Sequence, residues 1–194
     1  MFWQALHEFD QHLTLIINSW NTPISDHIMA FMSNIPVWIP MYVLIIAFLF
    51  WRLGWKKALV AVAVIGLTFG FCDQFSNLIK DAVQRLRPLH DEFMKVHGLH
   101  ILEGGGGFSF FSAHAANSFG LAMGSTTMLK DDKSKVSKAY KIWIFVWAIF
   151  VSISRIFVGK HYLGDVLVGT IVGLLAGWGF ASIGRLCIGK WIER

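Results

Sequence analysis

A chain of 194 residues that is 55% hydrophobic, with nine tryptophans and a mean hydropathy of +0.56, is too apolar for an ordinary soluble domain and too short for several. It reads as one integral membrane domain over residues 1–194. The net charge of +5 calls for no nucleic acid, because most of the basic excess gathers on one side of the predicted spans, where an anionic membrane surface accounts for it.

The chain opens on "FWQALHEFDQHLTLIINSW", which mixes aromatic and aliphatic residues with Glu8, Asp10 and two histidines. That pattern fits a helix lying in the membrane interface, with a sixth crossing as the alternative. It has no basic leading segment and no small-residue cleavage site, and so does not read as a signal peptide. Five apolar runs follow at 36–51, 57–79, 112–129, 140–157 and 162–183, near the roughly 20 residues that a helix needs to span hydrocarbon. The expected fold is all-α: a membrane helical bundle of five transmembrane helices, or six, with an N-terminal interfacial helix. Between the second and third runs lies "HDEFMKVHGLHILEGGGGF", residues 90–108, whose four glycines suggest a hinge. Cys72 and Cys187 fall in different spans, in no disulfide or zinc spacing, and read as small buried apolar residues. Gly169, Gly173 and Gly177 recur every fourth residue and suit close packing within one chain.

Lysine and arginine divide unevenly about these spans. Eleven of the seventeen fall near 52–57, 130–141 and the C-terminus, and six fall on the other side. The positive-inside rule puts the first group in the cytoplasm and the region around His161 outside.

Three polar clusters share that second side. In "KDAVQRLRP", Lys80 and Arg87 are seven apart and so are expected to share a helix face two turns apart, with Pro88 ending the span. In "FSAH", Ser112 suits a helix N-cap followed by free amides that favour an anion. In "SRIFVGKHYLGD", His161 and Asp165 are four apart, hence expected on one helical face, where the carboxylate can hold the imidazole in one tautomer, with Arg155 across the turn. Three fixed cations would repel a divalent metal, so neither metal nor cofactor is expected. A phosphoryl group suits them, with one histidine as nucleophile and the other as proton donor to the departing oxygen. Arg85 and Lys95 are open between a second phosphate, a lipid headgroup and solvent.

This series resembles the signature of the type 2 phosphatidic acid phosphatases, the PAP2 superfamily: K-x6-RP, PSGH and SR-x5-H-x3-D. The first part stands as Lys80, Arg87 and Pro88, and the third as Ser154, Arg155, His161 and Asp165. The second is altered to Phe111-Ser112-Ala113-His114; Ala113 keeps its N–H but adds a methyl where the signature has glycine. The resemblance implies a metal-independent phosphatase in which His161 becomes phosphohistidine, Asp165 orients it and His114 protonates the leaving group. It makes Lys80, Arg87, Ser112, Ala113 and Arg155 the phosphate cradle. The implied partners are membrane lipids and a lipid phosphate, hydrolysed at the outer face of the cytoplasmic membrane. Undecaprenyl diphosphate leads as substrate, followed by lipid A phosphate, phosphatidic acid and phosphatidylglycerol phosphate. The rivals are a vanadium haloperoxidase-like enzyme and a non-catalytic lipid-binding or transport protein.

Overall fold

Helix boundaries in this chain follow its caps and glycines. The computed structural model describes residues 2–192 and holds helices α1 (Phe2–Asn18), α2 (Pro23–Ser33), α3 (Ile39–Leu53), α4 (Trp55–Val83), α5 (Glu92–Val96), α6 (Ala113–Met128), α7 (Lys135–Phe157) and α8 (Leu163–Trp191). Thr22 caps α2 through a reciprocal box with Ser25, and Pro23 opens the helix where its missing N–H is harmless. Gly54, at φ +73°, splits one long apolar stretch into α3 and α4. Ser112 and Ser134 cap α6 and α7.

Among the described residues, four segments are long and apolar enough to cross a membrane: Ile35–Leu53, Trp55–Val96, Lys135–Phe157 and Leu163–Trp191. Helix α6 is the third of the five apolar runs; its 16 residues reach only about 24 Å, and it is the innermost element, packed by α4, α7 and α8. Large side chains such as Leu67, Phe71, Leu167 and Leu175 point outward to lipid, while a core built on Leu49, Val64, Leu121 and Ile144 fills the bundle. Close packing of α6 on α8 explains the glycine repeat. A Cβ on Gly173 would run into the Ala116 carbonyl, and one on Gly177 would come within 2.5 Å of the Gly120 carbonyl. Gly173→Ala should therefore destabilise the bundle by about 1–3 kcal/mol, as overpacking does. Gly179→Ala, whose Cβ would meet nothing within 4 Å, should be near neutral. Thermal unfolding of both variants in detergent checks the contrast.

Helix α1 lies across one end of the bundle. Asp10 Oδ1 accepts from the Gly164 N–H at 2.8 Å, Thr14 Oγ1 from the Leu163 N–H at 2.9 Å, and Asn18 Nδ2 donates to the Ile156 carbonyl at 3.0 Å. From Asp10 to Asn18 a helix rises about 12 Å, yet all three partners sit where α7 stops and α8 starts. Trp3, Leu6, Phe9 and Ile16 stay exposed on the other face, as an interfacial helix requires.

Three details depart from expectation. Helix α2, a separate element, packs against α7. Helix α4 ends at Val83 rather than Arg87, because Gln84 turns left-handed and closes the helix on the Lys80 carbonyl, so Lys80 and Arg87 share no helix face. Cys72 is buried as expected, but Cys187 is exposed on the outer surface of α8.

Candidate active site

The site forms where α4, α6, α7 and α8 end beside α1 and the 97–112 loop. His161 precedes α8, in the turn after Gly159, so it and Asp165 do not share a helix face. They meet because Asp165, in the first turn of α8, reaches back: its Oδ2 lies 3.5 Å from His161 Nδ1 and accepts the Tyr162 N–H at 3.0 Å. Asp165 is fully buried, with two further donors. Arg85 Nη1 binds Oδ1 at 2.7 Å, and the Ser109 hydroxyl donates to Oδ2. The Ser109 oxygen also stands 3.5 Å from His161 Nδ1. A carboxylate facing Nδ1 makes that nitrogen the N–H donor and leaves Nε2 with its lone pair. Burial pulls the His161 imidazole down to about 4, against the upward pull of the hydrogen bond and charge of Asp165. The ring is therefore neutral at pH 7.

Cations surround this pair. The charges of Arg155 and Arg87 act on His161, and those of Arg155, Lys160 and Lys80 act on His114. Arg155 is held in the interior by Ser33 of α2, which accepts from Nη1, and its Nη1 lies 3.8 Å from Glu103. Glu103 also accepts from Lys160 Nζ at 2.6 Å. The Nε–H groups of Arg87 and Arg155 are buried and meet no acceptor among the described residues. Buried guanidinium donors are rarely left unpaired, so both call for an anion.

Ser112 is fully buried, and its Oγ faces the Ala115 N–H at 3.5 Å as the cap of α6. Its own N–H donates to the Asp165 carbonyl at 3.1 Å, which pins the start of α6 to α8. Ala113 and His114 open α6, where backbone N–H groups have no helical acceptor. His114 also borders a cavity of about 270 Å³ walled by Trp38, Tyr42, Phe69 and Trp147. The Gly104–Gly107 stretch runs past Lys160, and the Gly105 carbonyl is bonded to His90 Nε2 at 2.8 Å.

A model of the PAP2 superfamily matches residues 57–187, about two thirds of the sequence. The chain belongs to this superfamily. It is 37% identical over 183 residues to the lipid A 4'-phosphatase of Bacteroides thetaiotaomicron, covering 93% of this chain and 79% of that protein. It is 28% identical over 191 residues to the lipid A 4'-phosphatase of Porphyromonas gingivalis, covering 95% and 77%. The fold superposes on the crystal structure of a transmembrane PAP2 type phosphatidylglycerolphosphate phosphatase from Bacillus subtilis with a TM-score of 0.74, at 23% identity, over 94% of this chain and 87% of that one. The protein is thus a membrane phosphatase of the PAP2 type, a phosphoric ester hydrolase.

Beyond the signature, the structure adds Arg85, Ser109, Glu103, Ser33 and Asp10, each bonded to a signature residue or its partner. Arg85 settles one open question: it binds Asp165 and Asp10, at 2.7 and 2.8 Å, and its guanidinium carbon lies 3.8 Å from the centre of the Tyr162 ring.

Proposed function

We propose that this protein hydrolyses a lipid phosphate monoester to the lipid alcohol and inorganic phosphate, with a lipid A phosphate as the leading substrate, at the outer face of a cytoplasmic membrane. The observation that carries the phosphate assignment is the pair of buried, unpaired Nε–H groups of Arg87 and Arg155 around a neutral histidine fixed by Asp165. Similarity to two lipid A 4'-phosphatases over nearly the whole chain moves lipid A ahead of undecaprenyl diphosphate, the first expectation from the sequence. The distribution of basic residues supports the outward orientation.

In this reading Lys80, Arg87, Arg155 and the Ala113 N–H hold the phosphate oxygens. His161 Nε2 attacks phosphorus, the P–N bond forms, and the bond from phosphorus to the lipid oxygen breaks. That oxygen takes a proton from His114, which can carry one beside so many cations because the bound phosphate brings compensating negative charge. Water then attacks the phosphohistidine and gives a proton to His114, restoring both histidines and releasing inorganic phosphate. In this reading every step runs through the protein's own side chains, which makes metal independence a matter for experiment.

Phosphate release across lipid A, phosphatidylglycerol phosphate, phosphatidic acid and undecaprenyl diphosphate in detergent tests this. The highest kcat/KM is expected on lipid A, with full activity in EDTA and inhibition by vanadate. Activity lost in EDTA and restored by a divalent ion would refute the mechanism, and preference for the diphosphate would refute the substrate.

A further inference from the structure

At the end of the bundle away from His161, α6, α7 and α8 part around a cavity of about 640 Å³, whose lining includes Thr126, Lys130, Lys141, Trp178, Ser182 and Arg185. Three cations meet there, and of the two carboxylates nearby the exposed Asp131 pairs with Arg185 at 2.8 Å, while Asp132 is taken up by Arg52 at 2.7 and 3.0 Å. Lys141 Nζ donates to the carbonyls of Leu129 at 2.7 Å and Asp132 at 3.3 Å, which neutralises the C-terminal end of α6 and leaves one donor over. Lys130 Nζ and the half-buried Ser182 hydroxyl donate to no described residue.

Depth gives this charge its meaning. From Leu163 to Arg185, α8 rises about 33 Å, slightly more than the roughly 30 Å of a hydrocarbon core. With the catalytic end at one headgroup layer, Arg185 stands at the other. Trp178 is two turns nearer the middle, about 10 Å deeper, where acyl chains begin. Cations at phosphate depth above an exposed aromatic wall on a membrane-facing helix match one kind of molecule. We propose that this cavity binds the phosphate of an anionic phospholipid in the leaflet opposite the catalytic site. Free phosphate offers the same chemistry to Lys130 and Arg185, but it has no use for the Trp178 wall.

The protein in neutral detergent, titrated with phosphatidylglycerol and phosphatidylcholine, can be followed by native mass spectrometry. One phosphatidylglycerol adduct should be retained under activation that strips phosphatidylcholine. At about 1 kcal/mol for each basic residue at a lipid surface, Lys130→Gln with Arg185→Gln should weaken it about 30-fold. Ser182→Trp should remove it with no change of charge, which a merely solvated basic surface would not do. If that variant folds poorly, the charge pair still gives the answer. Arg87→Gln, at the catalytic end, should leave the adduct in place. Equal retention of the two lipids, an adduct unchanged in both cavity variants, or an adduct lost in Arg87→Gln would overturn the proposal. Millimolar inorganic phosphate should fail to displace the lipid; complete displacement would assign the cavity to soluble phosphate instead.

Discussion

His161→Ala should lower kcat for phosphate release by at least about 10⁴-fold, because the proposed mechanism forms its new bond to phosphorus on this imidazole. The bundle should survive: α6 and α8 are held by backbone contact along Gly169, Gly173 and Gly177, none of which involves the imidazole. A rapid quench that avoids acid, after mixing with labelled substrate, should trap a phosphoenzyme that is acid-labile and base-stable. It should be absent from His161→Ala. His114→Ala should behave differently. A substrate with a good leaving group, which needs no proton, should be partly rescued, whereas a lipid alcohol should not. Turnover in His161→Ala, or label mapping to His114, would exchange the assigned roles while leaving the family assignment intact.

Spacing in the sequence led to His161, Asp165, Lys80, Arg87, Arg155 and His114 because the family signature fixes their separations. The helical geometry invoked for two of those pairs was wrong. Gln84 stops α4 short of Arg87, and Gly159, at φ +79°, turns the chain so that His161 lies ahead of α8. The residues meet through turns, whose geometry an i, i+4 or i, i+7 rule does not describe. The supporting residues left no such trace. Arg85 and Asp165 are 80 positions apart, and Ser109 and Asp165 are 56 apart. Ser33 reaches Arg155 from a helix that the apolar pattern did not separate from its surroundings. One signal was available for Arg85: a fully buried carboxylate needs a counter-charge, and a second arginine beside Arg87 was within reach. Nothing in the sequence distinguished that role from contact with a lipid headgroup. The overall architecture was easier to read, since the length of an apolar run and the position of a glycine or a capping serine act locally.

Asp165→Asn should lower kcat by about 10³ to 10⁴-fold, the scale expected when an imidazole loses the carboxylate that holds its tautomer. The structure makes this substitution harsher than its size suggests. Oδ1 accepts from Arg85, and Oδ2 accepts from Tyr162 N–H and the Ser109 hydroxyl, so an amide NH₂ must face a donor whichever way it turns. The loss should also appear in the pH profile. Burial depresses His161 to about 4 while Asp165 pulls it upward, so kcat/KM of the native enzyme should fall only as pH drops toward that value. Removing the charge of Asp165 removes the upward pull, and the acid limb should move lower still. Arg85→Met provides the comparison. Arg85 is paired with Asp165 and Asp10, and the proposed mechanism gives it no phosphate oxygen to hold, so its loss should cost about 10 to 100-fold in kcat with KM little changed. A role limited to structure would instead lower the unfolding temperature and leave the kcat of the folded fraction intact. Asp165→Asn activity within tenfold of native, or an acid limb that stays in place, would show that Asp165 does not govern the His161 proton.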